Sequence, residues 1–246
     1  MIRTDTIFLT HIQKTAGTSV RSSVLDPYVS ELNRHRPNGY RAAITARGTF
    51  DLVEGHFPYG IHHLYGTKNP RYFVMLRHPV DRAVSFYYFI KACSGSSYEH
   101  PRLKEVRENS LVEFYEKAAH QNVQTRYVAG LLPEYAGRYL DLNGRLGETV
   151  LRRAKQNLVE RYEAFGLKGR FEDSVRLFAQ CLDVEPEWPE KRYKKTGERP
   201  DVADLEAHVR RSIRRANSLD VELYNLAKEK FAQQDVQLRS ETGDKS

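Results

Sequence analysis

Residues 7–25 read IFLTHIQKTAGTSVRSSVL. An apolar run, Ile7 to Leu9, gives way to Lys14, Thr15, Ala16, Gly17, Thr18 and Ser19, and helical periodicity follows from Ser19 to Leu25. A strand that hands over to a helix through small residues makes an anion site. The free N–H groups and the dipole of the helix start both point positive charge at whatever sits there. Thr15, Thr18 and Ser19 add hydroxyl donors, Ala16 and Gly17 allow close approach to the backbone, and Lys14 supplies a mobile charge. The logic is that of a phosphate loop, with one difference. GxxxxGK[ST] places its lysine at the end of the turn, whereas here the lysine stands at the start. An ordinary structural turn is the alternative reading of this stretch taken alone.

The rest of the chain alternates in the same way. Residues 6–12 read as a buried strand, FDLVEGHF (50–57) as a short second strand ending at Gly55, and RYFVMLRHP (71–79) as a third. The third is apolar on both faces, as in a parallel sheet covered by helices. Pro79 suits a first helical turn, where its missing N–H costs nothing, and the helix runs on through VDRAVSFYYFIKA. Helical periodicity returns at 110–132 and 147–161, a short strand at 163–167 (EAFGL), a helix at 171–182, and two helices near 201–216 and 218–233. Residues 27–48 and 94–109 read as irregular or connecting segments, 186–200 as a basic loop, and 235–246 as a frayed tail. Strands alternating with helices imply one three-layer α/β domain over 1–246 with a mostly parallel sheet and a P-loop-like nucleotide-binding core.

Composition narrows the function classes. Lys and Arg total 39 against 32 Asp and Glu, a formal charge of +7, which favours anionic ligands. Residues 191–215 hold nine basic and four acidic side chains, either a ligand surface or a solvated helix face. Cys93 and Cys181 stand apart without a CxxC or Cys/His cluster, so free thiols, a reducing compartment and the cytoplasm are expected. No HExxH or carboxylate run suits a metal, so none is expected. Neither a long apolar run nor a signal-peptide pattern is present, so no integral membrane segment is expected either.

A second segment, VMLRHPVDRAVSFYYF, sets Arg77 at a strand end and Ser85 eight residues later on the following helix. A forked guanidinium and a hydroxyl so placed suit a further phosphate. Two anion sites at adjacent strand ends fit a ligand phosphorylated at two places.

Here the sequence resembles a known family. HIQKTAGTS looks like the loop that binds the 5′-phosphosulfate in sulfotransferases that use 3′-phosphoadenylyl sulfate (PAPS), and LRHPVDRAVSFYYF looks like their 3′-phosphate motif. The HIxKTxGTS form is similar to the family containing heparan sulfate O-sulfotransferases and many bacterial relatives. EGHFPYG (54–60), NVQTRYVAG (122–130), YEAFGLKGRFEDSVRLF (162–178) and NSLDVELYNLA (217–227) extend the likeness along most of the chain. Ala16 departs from it, since many relatives carry Gly there.

The resemblance implies the following roles. Lys14 meets the oxygen bridging sulfate and 5′-phosphate, residues Thr15 to Ser19 hold the 5′-phosphate, and Arg77 and Ser85 hold the 3′-phosphate. His56, in the GHFPYG segment, is the base that takes the acceptor's proton, a role suited to an imidazole titrating near neutrality. Lys194, Lys195 and Arg199 sit where relatives close over the nucleotide. Gln124 and Arg126 belong to a segment near the acceptor cleft, or else to helix packing through Val123, Tyr127 and Val128. His11, just before the loop, reads as a packing or orienting residue, and His62 and His63 are weaker candidates for the base. The implied reaction moves a sulfuryl group from PAPS, leaving PAP, to an alcohol, with a carbohydrate or glycoconjugate as acceptor and no metal. Two other classes stand beside it. A P-loop kinase or NTPase needs a lysine at the end of the first turn and an acidic magnesium ligand after a second strand, where Arg77 and His78 stand instead. A non-catalytic basic module for nucleic acid or other polyanions accounts for the charge but not for the paired loops, so no nucleic-acid partner is expected.

Overall fold

The computed structural model describes residues 5–29, 33–37, 40–46, 48–95, 98–131, 140–188 and 199–242. Strands β1 (Thr6–Thr10), β2 (Arg34–His35), β3 (Leu52–Gly55), β4 (Pro70–Leu76) and β5 (Tyr162–Leu167) form one sheet in the order β2-β3-β1-β4-β5. Every neighbouring pair is parallel, and helices flank the sheet. Residues Ile7, Phe8 and Leu9 of β1 and Phe73, Val74 and Met75 of β4 are all buried. That unbroken apolar run is what a strand covered on both faces requires.

Helix α1 opens at Gly17–Val20, passes through a π-helical turn at Arg21–Leu25 and ends at Asp26–Tyr28. The Ser22 hydroxyl lies within hydrogen-bond distance of both the Thr18 and Ser19 carbonyls, at 3.3 and 3.0 Å, and such insertion into the ladder widens a turn. The remaining helices are α2 (Tyr40–Thr45), α3 (His62–Tyr65), α4 (Pro79–Ala92), α5 (Leu103–Glu108), α6 (Leu111–Glu116), α7 (Val123–Ala129), α8 (Gly144–Glu160), α9 (Phe171–Leu182), α10 (Ala207–Ala216) and α11 (Ser218–Thr242). Among these described residues no helix is long and apolar enough to cross a membrane. Pro79 occupies the first turn of α4, and α4 is buried on nearly every side. A second apolar cluster joins α4 to α5, α6 and α10 through Val84, Ile90, Val106, Phe114 and Ile213.

Several boundaries differ from the sequence reading. The expected irregular stretch 27–48 holds β2 and α2, elements too short for their periodicity to show. The connection 94–109 contains α5. The long helix expected over 110–132 is instead three pieces: α6, capped by Ser110 and Glu113, a 3-10 turn at Ala118–His120, and α7. Its break falls where Asn122 adopts φ 52°, outside helical space. Helix α11 continues to Thr242 rather than ending near 233, because neither Pro nor Gly interrupts it before Gly243.

Topology fixes where a ligand belongs. From the central β1 the chain fills one side of the sheet (β2, β3) and then crosses to the other (β4, β5). Open parallel sheets bind ligands beyond the carboxyl ends of their strands at such a reversal. The segments singled out in the sequence leave those ends: the Lys14 turn follows β1, His56 follows β3, and Arg77 follows β4.

Candidate active site

The turn after β1 is held by its own residues. The Thr15 hydroxyl donates to the Ile12 carbonyl at 2.9 Å, so this side chain staples the turn from inside and leaves ligand contact to the backbone. Lys14 and Ala16 both take positive φ, 68° and 75°, a conformation L-residues adopt at a cost and hold when the surroundings demand it. Gly17 begins the helix. A Cβ there would lie 2.4 Å from the His11 ring, so only glycine lets that ring and the turn pack together. The first N–H groups of α1, on Gly17, Thr18 and Ser19, precede the first intrahelical bond, which Val20 makes to the Ala16 carbonyl at 3.1 Å. Those N–H groups are the donors an anion takes up. The Lys14 ammonium rests 4.2 Å from the centre of the Phe89 ring on α4. Residue 14 is thus half-buried over an aromatic face rather than solvated, and Phe89 of the FYYF stretch has a task beyond packing.

Arg77 leaves β4 and is only 4% exposed. Its Nη1 donates to the Lys14 carbonyl at 2.8 Å, and its Nε donates to Asp81 Oδ2 at 2.5 Å. Asp81 also meets Arg199 at 3.0 Å and Lys168 at 4.0 Å. Burial alone would raise the Asp81 carboxyl; bonding to Arg77, then the charges of Arg77, Arg199 and Lys168, hold it below its ordinary range. Three cations around one carboxylate leave a net positive site at the tips of β4 and β5. Ser85 is buried one turn beyond Asp81 on the same stripe of α4. The structure thereby brings Arg199 to Arg77; Lys194 and Lys195 lie outside the described residues. Sequence reasoning missed Lys168 and Asp81. Lys168 directly follows the β5 strand, so the strand-end logic applied to Lys14 and Arg77 points to it as well.

His56 is exposed beyond β3, with Nδ1 2.6 Å from the His11 carbonyl oxygen. A carbonyl only accepts, so Nδ1 carries the hydrogen and the neutral ring keeps its lone pair on Nε2. The His11 amide donates to the Gly55 carbonyl at 2.9 Å, and the two imidazoles lie 4.8 Å apart, which ties the β1 and β3 ends together. His11 thus orients His56 through its backbone and backs Gly17 with its ring. His62 is a buried partner of the Tyr72 hydroxyl at 2.9 Å and stands apart from this chemistry.

Gln124 and Arg126, candidates for acceptor contact, have other tasks. Gln124 is 1% exposed and clasps the Arg77 backbone from both ends: Nε2 donates to the Arg77 carbonyl and Oε1 accepts from its N–H, each at 2.9 Å. Arg126 is fully buried, donating to the carbonyls of Gln121 at 3.1 Å and Leu140 at 2.9 Å. Gln124 thus positions Arg77, and Arg126 links the carbonyls of Gln121 and Leu140.

The chain matches the family model described as "Sulfotransferase family" over residues 1–227, which takes in every strand and the site just described. It is also 25% identical over 126 residues to a Caenorhabditis elegans protein named heparan sulfate 2-O-sulfotransferase hst-2. That alignment covers 51% of this chain and 39% of the relative, so the chain spans about two fifths of the relative's length. With a match across nine tenths of its residues, the chain belongs to the sulfotransferase family.

Proposed function

We propose that the protein is a PAPS-dependent O-sulfotransferase acting on a sugar hydroxyl of a carbohydrate or glycoconjugate. One observation carries the reading: four adjacent strand ends present Lys14, His56, Arg77 and Lys168 along one edge of a parallel sheet. The residues fit the donor. The opening N–H groups of α1 suit a 5′-phosphate, and the net positive group of Arg77, Lys168, Arg199 and Asp81, with Ser85 on its stripe, suits a 3′-phosphate. These strand ends support reading the core as P-loop-like. The sugar acceptor is supported by the similarity to hst-2.

The residues divide the work as an in-line displacement requires. PAPS supplies the activated sulfuryl group. Lys14, tethered through its carbonyl to Arg77, holds a cation where the leaving phosphate gathers charge, an interaction strongest in the transition state. His56, with Nδ1 fixed on the His11 carbonyl, presents Nε2 to take the acceptor's proton. Gln124 keeps Arg77 in register with the turn.

Transfer of labelled sulfate from PAPS to a panel of glycans, without divalent metal, tests the reading. Wild type is expected to label at least one glycan and Lys14→Ala to label it about 100-fold or more slowly, with unchanged circular dichroism. Protection of the fold by ATP and magnesium but not by PAP would overturn the assignment in favour of an NTPase.

A further inference from the structure

Helix α7 turns two side chains toward the strand ends from one face. Gln124 and Tyr127 stand three residues apart on it, which sets them on the same stripe. Gln124 clasps the Arg77 backbone, at the end of the site assigned to the 3′-phosphate. Tyr127 reaches the other end. Its hydroxyl accepts from Gln13 Nε2 at 3.3 Å and donates to the His56 carbonyl at 3.4 Å. Gln13 directly precedes Lys14, so one hydroxyl joins the turn that carries the ammonium to the segment that carries the imidazole.

The helix is seated firmly enough to hold both. The Tyr59 N–H donates to the Tyr127 carbonyl at 2.9 Å, and a Cβ on Gly130 would come within 3.0 Å of the Tyr59 carbonyl oxygen. The end of α7 therefore lies flush against the segment that follows His56. At its start, Asp220 accepts the N–H groups of Gln124 at 3.2 Å and Thr125 at 2.7 Å. Tyr127 is 1% exposed. Packing accounts for its ring, since phenylalanine would fill the same space, but not for its hydroxyl. A buried hydroxyl is costly unless its hydrogen bonds are met, and these two partners each adjoin a reacting residue.

From this geometry we propose that the Tyr127 hydroxyl is a positioning group that sets the spacing between Lys14 and His56. The proposal deepens the sulfotransferase reading and rests on it. In-line displacement places the acceptor and the leaving oxygen on opposite sides of the sulfur, so a slip between these two segments misaligns the base while each phosphate contact survives. His11 already ties the segments through its backbone, accepting from His56 and donating to Gly55. A single tie still allows rotation about itself, and the tyrosine supplies the second.

The test assays the full chain with PAPS carrying labelled sulfate and with water as the acceptor, so that no glycan need be identified. The S–O bond to PAP breaks, the water oxygen joins the sulfur and His56 Nε2 takes a water proton. Tyr127→Phe is expected to lower kcat about tenfold, the scale of a misplacement below about 1 Å, while the PAPS KM and PAP affinity stay within about twofold. In a His56→Ala background the same substitution is expected to have no further effect. A kcat unchanged by Tyr127→Phe, or a loss that persists in the His56→Ala background, would overturn the positioning role. Amide hydrogen exchange across 57–60 gives a readout apart from activity: it is expected to quicken in Tyr127→Phe, and unchanged exchange would overturn the tie. Should Tyr127→Phe not fold, Gln13→Met removes the donor to the hydroxyl from a half-buried side chain. It is expected to lower kcat with PAP affinity retained, and an unchanged kcat would sink the link. Failure of wild type to bind PAP or to release sulfate defeats the parent reading, and the positioning role with it.

Discussion

Ala16 sits at φ 75°, where a Cβ costs about 1 kcal/mol and glycine costs nothing extra. Ala16→Gly is therefore expected to leave thermal stability level or raise it by up to about 1 kcal/mol. Its neighbour behaves oppositely, because Gly17→Ala drives a methyl into the His11 ring and so disturbs both the turn and the carbonyl that holds His56. Paired melting curves of the two variants check this contrast. Lys14→Ala loses the cation–π contact to Phe89, worth about 1 kcal/mol in stability. Its catalytic cost is larger, about 10²- to 10³-fold in kcat, the usual penalty for removing a group aimed at developing charge. His120 gives a pH prediction. Burial, then the charge of Arg102, push its pKa down to about 4. The unfolded chain takes up that proton near pH 6.5 and the native state only near pH 4, so stability falls as pH falls through this window. The contribution is about 3 kcal/mol, fully present above pH 6.5 and absent below pH 4. His120→Asn is expected to flatten that part of the Tm–pH curve, and an unchanged slope would refute the assignment.

Two helix starts cap each other. Asp220 accepts the N–H groups of Gln124 and Thr125 at the start of α7, while Asn122 Oδ1 accepts those of Leu219 and Asp220 at the start of α11, at 3.0 and 3.3 Å. Asn217 completes the exchange by accepting the Asn122 N–H at 3.1 Å. This reciprocity joins NVQTRYVAG to NSLDVELYNLA, and the first of them also reaches the β4 end, where Gln124 clasps Arg77. Caps are worth about 1 kcal/mol each, more when buried. Asp220→Ala is expected to cost about 2–4 kcal/mol, and the double variant with Asn122→Ala less than the sum of the singles, as a denaturant double-mutant cycle would show. The same interaction marks the limit of what the sequence discloses. Local patterns disclosed β1, β3, β4 and β5 and helices α4, α8 and α9, because each carries its own period or its own proline or glycine punctuation. The division of 110–132 into α6 and α7 was not legible, since α7 is capped by a residue nearly a hundred positions away. The tasks of Gln124 and Arg126 were hidden for a related reason: their partners are backbone groups of distant segments, which leave no spacing signal. Lys168 was legible by the strand-end rule and was overlooked because the sequence around it reads as a strand running into a helix.

Across the whole molecule, the order β2-β3-β1-β4-β5 turns separate short motifs into one site. Among the described residues, Arg77, Lys168 and Arg199 converge on Asp81, while Arg82 and Arg102 line one pocket with Gln13. On the proposed reading the first group selects a doubly phosphorylated nucleotide, because a 3′-phosphate adds a charge-assisted contact that a singly phosphorylated one lacks. The most direct measurement is calorimetric titration of PAP and of 5′-AMP into the protein in the presence of EDTA. The account predicts that PAP binds at least 100-fold more tightly than 5′-AMP and needs no metal. Equal affinities for the two nucleotides, or binding only when magnesium is supplied, would contradict it.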